Sequence, residues 1–146
     1  MKKCNKSNKG FTLIELLAVI IILSIIFLIA APTIMGVINN SKEKAAVNAA
    51  YGYLDAVEKK ILEQMVIDET DPKVDNGTYT VQEGGTGKLT PTNSVPGEPA
   101  DITPSLKGEA PKAGGTVTFE NNKVTNASLT FFEIEINCPN GKCSKA

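Results

Sequence analysis

The sequence predicts an α+β protein in which one long N-terminal helix packs on a small C-terminal antiparallel sheet. An apolar stretch without any charge runs from Leu16 to Ser41 and continues into a segment with helical periodicity. The last 30 residues instead alternate between apolar and polar side chains, which is typical of strands. At 146 residues, the chain has room for one domain together with a membrane segment.

The chain begins with a short basic segment. All 15 basic residues of the chain are lysines, and four of them lie in the first nine positions (Lys2, Lys3, Lys6 and Lys9). Without the first ten residues, the remainder holds 11 lysines against 16 acids, a formal charge of −5. An acidic remainder without arginine argues against a nucleic-acid partner, which usually requires a basic face.

The apolar stretch from Leu16 to Ile38 is long enough to span a bilayer, since about 20 apolar residues cross the hydrocarbon core. The lysines before it are expected to stay in the cytoplasm. A cleaved secretory signal is disfavoured because the stretch is too long and Glu15 lies at its head. Cys4 does not indicate a lipoprotein, because it precedes the apolar stretch. A plain signal anchor with an incidental Glu15 remains the alternative.

Residues 33–67 predict an amphipathic helix that continues the membrane helix. The apolar positions at helical spacing are Ile34, Ile38, Ala45, Ala49, Tyr53, Val57, Ile61 and Met65. Pro32 removes one backbone donor and is expected to kink the helix, and Gly36 softens the same region. We expect the helix to extend from Phe11 to Ile67.

The remainder of the chain predicts a long connection followed by a sheet. Residues 68–115 are rich in glycine and proline and are expected to form a surface loop with one short strand at Thr78–Glu83. Strands are predicted at Thr116–Glu120 and Thr130–Asn137, with a tight turn at Asn121–Asn122. The final strand is expected to place Phe132, Ile134 and Ile136 together on the face that covers the helix.

The sequence contains no signal for catalysis. There is no histidine, and no nucleophile is paired with a base, so acid–base chemistry at neutral pH would require strongly shifted carboxylates or lysines. A structural zinc site would require four ligands. We therefore expect neither an enzyme nor a bound metal, and the sequence implies no cofactor.

The stretch KGFTLIELL, residues 9–17, resembles the class III signal sequence of type IV prepilins and pseudopilins. In that pattern a basic leader ends in glycine, phenylalanine follows, and glutamate occupies the fifth mature position. Here these residues are Gly10, Phe11 and Glu15, and Pro32 falls at the kink position of such pilins. The resemblance is to the type IVa group. All basic residues are lysines, which suggests an AT-rich genome, and the chain in this respect resembles the Gram-positive clostridial pilins.

The resemblance implies that a prepilin peptidase cuts between Gly10 and Phe11 and methylates the new Phe11 amine. Residues 1–10 are then a cleaved leader, 11–38 a transmembrane and assembly helix, and 39–146 the extracytoplasmic pilin domain. That domain divides into a helix at 39–67, an αβ-loop at 68–115 and a sheet with a C-terminal loop at 116–146. Together these segments imply the type IV pilin fold.

A charge at the edge of an apolar helix requires a partner. We interpret Glu15 as an assembly residue whose carboxylate pairs with the Phe11 amine of a neighbouring subunit. The two groups also lie at i and i+4 within one chain, close enough for partial neutralisation. A snorkelling surface acid is the alternative interpretation of Glu15.

The cleavage that the resemblance implies would remove Cys4, so the mature chain would keep Cys138 and Cys143 in the stretch CPNGKC. Pro139, Asn140 and Gly141 favour a turn that would bring the two sulfurs close together. An exported chain with two cysteines suggests a disulfide, as in many pilins, and two free thiols in a reducing habitat are the alternative.

The resulting functional hypothesis is a type IV pilus subunit that polymerises with copies of itself into a surface filament for adhesion, aggregation or twitching motility. Its partners are other pilin subunits, the prepilin peptidase, the pilus assembly platform and, before assembly, the cell membrane. A pseudopilin of a type II secretion or DNA-uptake machine is the alternative. The Gly/Pro-rich loop and the lack of a calcium-ligand cluster near the C-terminus favour the pilin, and a plain membrane-anchored surface protein is a third possibility.

Overall fold

The computed structural model describes residues 10–67, 74, 76–92 and 102–146. Nine residues of the expected leader and parts of the 68–115 connection therefore lie outside the described residues. The chain divides into two compact units, of which the first ends at Asn40 and the second begins at Ser41. An apolar N-terminal helix and a six-stranded antiparallel sheet confirm the predicted α+β class.

The single α-helix, α1, extends over Leu13–Ile67. It begins two residues later than expected because the Thr12 carbonyl accepts the first helical hydrogen bond, from the Leu16 amide at 3.2 Å. By length and composition α1 is the one helix among the described residues that could span a membrane, and none of its most apolar window is buried. In the first unit its apolar side chains, from Leu13 to Ile38, are nearly all exposed.

Within the second unit, one face of α1 is buried. Its buried residues are Ala46, Ala50, Tyr53, Leu54, Val57 and Ile61. The predicted stripe is confirmed at Tyr53, Val57 and Ile61, whereas Ala45 is exposed and the stripe begins at Ala46 instead. Because two alanines are adjacent at this point, the sequence alone did not indicate which of them faces the core.

The sheet contains six strands in the order β2-β1-β3-β4-β5-β6, and every neighbouring pair is antiparallel. The strands are β1 (Gly77–Val81), β2 (Leu89–Pro91), β3 (Thr116–Glu120), β4 (Lys123–Phe131), β5 (Ile134–Asn137) and β6 (Ser144–Lys145). A short 3₁₀ turn, Pro139–Gly141, lies between the last two strands.

The Gly/Pro-rich connection contributes more structure than the sequence suggested. The predicted strand at Thr78–Glu83 corresponds to β1, which is shifted by one to two residues. The three-residue strand β2 was not predicted, since so short a segment shows no periodicity. Leu89 and Ile102 pair across an isolated bridge and are both fully buried, so this part of the connection belongs to the core.

The predicted hairpin is confirmed. Strand β3 has the expected bounds, and Asn121 and Asn122 both adopt positive φ, at 51° and 61°. A pair of positive-φ residues is the conformation that a two-residue type I′ hairpin turn requires, and asparagine tolerates it well.

The prediction of one continuous strand at Thr130–Asn137 is wrong. A second two-residue turn at Phe132 and Glu133, with φ of 52° and 65°, separates β4 from β5. As a consequence Phe131 is buried and Phe132 is 39% exposed, so Phe132 does not share the core face with Ile136. Phenylalanine and glutamate are not turn-forming residues, and their place in an alternating pattern concealed the turn.

The inner face of the sheet packs on the second-unit part of α1. Tyr53 of α1 lies edge-on to Phe131 of β4 at 6.5 Å between ring centroids, and Tyr79 lies edge-on to Phe119 at 5.1 Å. The Tyr53 hydroxyl donates to the Gly87 carbonyl at 2.7 Å, and burial raises the pKa of the Tyr53 phenol above its usual value. Edge-to-face aromatic pairs add specificity to the area that they bury.

We expect Leu129→Ala to lower the free energy of unfolding of the second unit by about 2–5 kcal/mol, because Leu129 is fully buried and its removal leaves a cavity. Urea unfolding of the full chain in detergent micelles, followed by circular dichroism, measures this change. The matched control is Leu62→Ala, because Leu62 is 59% exposed, and a loss of about 0.5 kcal/mol or less is expected for it. Equal losses in the two variants would contradict this location of the core.

Candidate functional site

The start of α1 brings the predicted junction residues together. Gly10, Phe11 and Thr12 precede the helix, are not helical and are exposed. A Cβ atom added at Gly10 would meet nothing within 4 Å. The peptide bond between Gly10 and Phe11 therefore lies in open, non-helical backbone, which a protease requires.

Thr12 and Glu15 form a reciprocal cap at the start of α1. The Thr12 amide and hydroxyl donate to the Glu15 Oε2 atom at 2.8 and 2.9 Å, and the Glu15 amide donates to the Thr12 hydroxyl at 3.3 Å. This is the capping box, in which a threonine and a glutamate three residues later satisfy each other's free amides. Thr12 was not among the predicted site residues, although the spacing T-x-x-E is a sequence signal for this cap.

The cap directs the Glu15 carboxylate back toward Phe11, the residue that would carry the charged amine after cleavage. In the uncleaved chain the Phe11 nitrogen is an amide and carries no charge. The expected pairing of Glu15 with a Phe11 amine on another subunit therefore stays a prediction. No charge follows Glu15 before Lys42, so this carboxylate is isolated within the apolar part of the helix.

Pro32 lies inside α1, and the helix is assigned without interruption on both sides of it. Ser24 lies two turns earlier and donates its hydroxyl to the Ile20 carbonyl at 2.6 Å. Such back-bonding to the i−4 carbonyl is common for serine in helices and favours slight bending. The kink expected at Pro32 stays a prediction.

The C-terminal loop is attached to the second-unit helix by several contacts. The structure joins Cys138 to Cys143 by a disulfide, and Cys138 is fully buried. The Cys143 amide donates to the Tyr51 hydroxyl at 2.9 Å, and Lys145 forms an ion pair with Glu43. Neither Tyr51 nor Glu43 was anticipated, since each contacts a residue more than 90 positions away.

Within the part of the chain that the structure describes, no group of three or more His, Cys, Asp or Glu side chains could hold a metal ion. Every buried side-chain nitrogen or oxygen of those residues has a hydrogen-bond partner. The described residues do form a capped helix start at Thr12, an isolated carboxylate at Glu15 and an exposed apolar helix surface.

Comparison with known proteins identifies the same N-terminal region. Residues 5–31 match the family described as the prokaryotic N-terminal methylation motif. The type II secretion system core protein G of Dickeya chrysanthemi is 33% identical over 94 residues, which are 64% of this chain and 54% of that protein. The chain thus aligns with about half the length of this curated relative. No solved structure matches the chain significantly.

The fold and the helix start define a class of protein with an apolar N-terminal helix and an antiparallel sheet. The methylation motif and the similarity to a secretion-system core protein support, within that class, a type IV pilin-like protein. The candidate site is therefore the helix start with Gly10, Phe11, Thr12 and Glu15.

Replacing the Thr12 hydroxyl tests the cap. In Thr12→Val the Glu15 amide loses its hydrogen-bond acceptor. Loss of a helix cap costs about 1 kcal/mol of helix stability, which corresponds to roughly fivefold faster hydrogen exchange of that amide. Amide exchange followed by NMR in micelles measures this rate, with Thr12→Ser as the matched control that keeps the hydroxyl. Unchanged exchange in Thr12→Val would contradict the capping role.

Proposed function

We propose that the chain is the precursor of a structural subunit of a type IV pilus, which polymerises through its N-terminal helix into a surface filament. The observation that supports this proposal most directly is an exposed Gly10–Phe11 bond followed by an isolated Glu15 at the start of an apolar helix. Adhesion, aggregation and twitching motility are the activities that we propose for the filament.

Processing is the first step of the proposal. Prepilin peptidase cuts between Gly10 and Phe11 and methylates the new amine, and this removes the four leader lysines that hold the precursor at the cytoplasmic face. The open backbone around Gly10 supports this step. The product is a helix whose early charges are the Phe11 amine and the Glu15 carboxylate.

Assembly depends on the exposed apolar surface of α1. Residues 10–29 are all exposed in the single chain, and water is an unfavourable environment for them. Burying one Leu, Ile or Phe side chain contributes about 1.5–3 kcal/mol, so the helix requires either lipid or other helices around it. We propose that the membrane surrounds it in the precursor, that neighbouring subunits surround it in the filament, and that an assembly platform moves it from one to the other.

Glu15 sets the register between subunits in this proposal. A carboxylate that enters an apolar helix bundle is costly unless it is paired. The methylated Phe11 amine of a neighbouring subunit supplies the opposite charge, and one such pair per subunit defines the axial stagger. The Thr12 cap supports the pairing because it already points the carboxylate toward the N-terminal end of the helix.

The pseudopilin of a type II secretion machine is the second candidate. The observation in its favour is the 33% identity to a protein named as a type II secretion system core protein. Both candidates use the same cleavage and the same helix, and they differ in where the mature chain accumulates. A pilin is recovered outside the cell, whereas a pseudopilin stays in the envelope.

Glu15→Gln separates charge from capping. Glutamine keeps the capping geometry at this position but carries no charge, so we expect normal processing and filament incorporation reduced at least about tenfold, as loss of a buried charge pair predicts. Glu15→Val, which loses both properties, is expected to be cut largely as in the wild type and to assemble no better. Quantitative immunoblotting of sheared filaments measures incorporation. Wild-type incorporation of Glu15→Gln would exclude the charge pair.

Intact mass of protein sheared from the cell surface tests processing and localisation together. The expected species begins at methylated Phe11 and is lighter by two hydrogen atoms, as oxidation of Cys138 and Cys143 requires. Gly10→Val is expected to leave an uncut chain in the membrane, because a branched side chain restricts the backbone at the cut. A mature chain found in the envelope alone would favour the pseudopilin, and an uncut wild-type chain would contradict both candidates.

A further inference from the structure

The outer face of the sheet carries two rows of uncharged polar side chains, which we call the hydroxyl face. The first row crosses all six strands in register and consists of Thr90, Thr80, Thr116, Ser128, Asn137 and Ser144. The second row consists of Thr78, Thr118 and Asn126. Both rows lie opposite the core, because the residues that alternate with them, such as Val117 and Leu129, are fully buried.

The hydroxyl face is regular as well as uncharged. Neighbouring strands lie about 4.8 Å apart, so the first row presents one polar group at that interval over about 24 Å. A soluble surface is usually designed with charged side chains at about a quarter to a third of its positions. The nine positions of the hydroxyl face hold none, and a charged neighbour on the same side of the sheet is Glu135, which accepts a hydrogen bond from Ser128.

The side chains of the hydroxyl face keep hydrogen-bonding capacity for a ligand. Thr78 and Thr118 share one hydrogen bond at 3.2 Å, and Ser128 donates to Glu135 at 3.3 Å. Thr80 shares a hydrogen bond with Thr92 at 2.8 Å, and Thr90 accepts one from the Gln82 amide group. A hydroxyl offers one donor and two acceptor positions, and an amide offers two of each, so these contacts use only part of what is available. Hydroxyls can also rotate, and each can therefore donate to or accept from a partner.

A shallow depression of about 400 Å³ lies at the centre of the hydroxyl face. Its polar lining is Thr116, Thr118, Asn126, Ser128 and Asn137, and Ala127, Cys138 and Pro139 complete it. No charged side chain lines the depression among the residues that the structure describes. Its size and lining suit a small polyhydroxylated unit.

We propose that the hydroxyl face binds an uncharged extracellular polysaccharide, with one sugar in the central depression and its neighbours along the first row. The charge pattern favours this occupant, because an anionic polymer would meet only the Glu135 carboxylate beside Ser128, and a cationic polymer would gain that one ion pair at most while it lost solvation. A neutral polyhydroxyl chain instead exchanges its hydrogen bonds to water for bonds of the same kind. The inference rests on the proposed function in one respect, that the sheet is carried outside the cell.

Binding is tested with the purified full chain in lipid nanodiscs, because sugar-based detergents would compete. The probes are labelled dextran, galactomannan and mixed-linkage β-glucan, with dextran sulfate as the charged counterpart of dextran, and fluorescence anisotropy is the measurement. We expect saturable binding of at least one neutral polymer, little change with salt, and weaker binding of dextran sulfate. Absence of binding to every neutral probe would overturn the proposal.

The double variant Thr116→Val, Ser128→Ala removes two hydroxyls from the depression. We expect about tenfold weaker binding, as the loss of two ordinary hydrogen bonds predicts. The matched control is Thr103→Val, which removes an exposed hydroxyl outside the hydroxyl face and is expected to bind as the wild type does. Circular dichroism verifies folding. Thr118→Lys, which places a charge and a longer side chain in the lining of the depression, is a second variant with the same expected loss.

The alternative occupant is a second copy of the chain. If the double variant lost filament incorporation while the wild type bound no polysaccharide, the hydroxyl face would be a contact between copies and the proposal would be wrong. Because polysaccharide binding is measured on isolated chains, a failure here leaves the Glu15 test of the proposed function unaffected. A failure of that Glu15 test likewise leaves the binding result standing.

Discussion

The structure depends on one unmet requirement, which is that the apolar first-unit part of α1 must be removed from water. No part of its own unit covers it, and its side chains from Leu13 to Ile29 are exposed one after another. The hydrophobic effect therefore acts between molecules here, through lipid or through other helices. In the proposed function, the junction at Gly10 and Phe11, the Thr12 cap and the Glu15 carboxylate would each have a physical role in that transfer.

The two units satisfy hydrophobic burial in different ways. The second unit buries one helix face against the sheet and satisfies every described buried side-chain polar group internally. The described part of the first unit buries almost nothing, and its one acid accepts hydrogen bonds from Thr12. The second unit thus has its own hydrophobic core, whereas the apolar helix segment of the first unit does not.

The outer surface of the second unit is divided in a similar way. Ion pairs such as those of Lys145 with Glu43 and of Lys112 with Glu133 lie at the edges of the sheet, where they contribute little stability but keep the surface soluble. The nine positions of the hydroxyl face carry no charge, and Glu135 borders them at Ser128. The surface therefore offers two chemically different contact areas. Binding to the charged edges would weaken as the salt concentration rises, whereas binding to the hydroxyl face would change little.

The sequence by itself determined the features that depend on local chemistry. The length of the uncharged apolar stretch predicted the N-terminal apolar helix, and the Asn121–Asn122 pair predicted the turn between β3 and β4. The pattern of Gly10, Phe11 and Glu15 could be read directly from the sequence. Only the tertiary structure decided the turn at Phe132 and Glu133, the short strand β2, and the contact of Tyr51 with Cys143. These features arise where packing against distant residues outweighs local preference, and no local pattern carries that information.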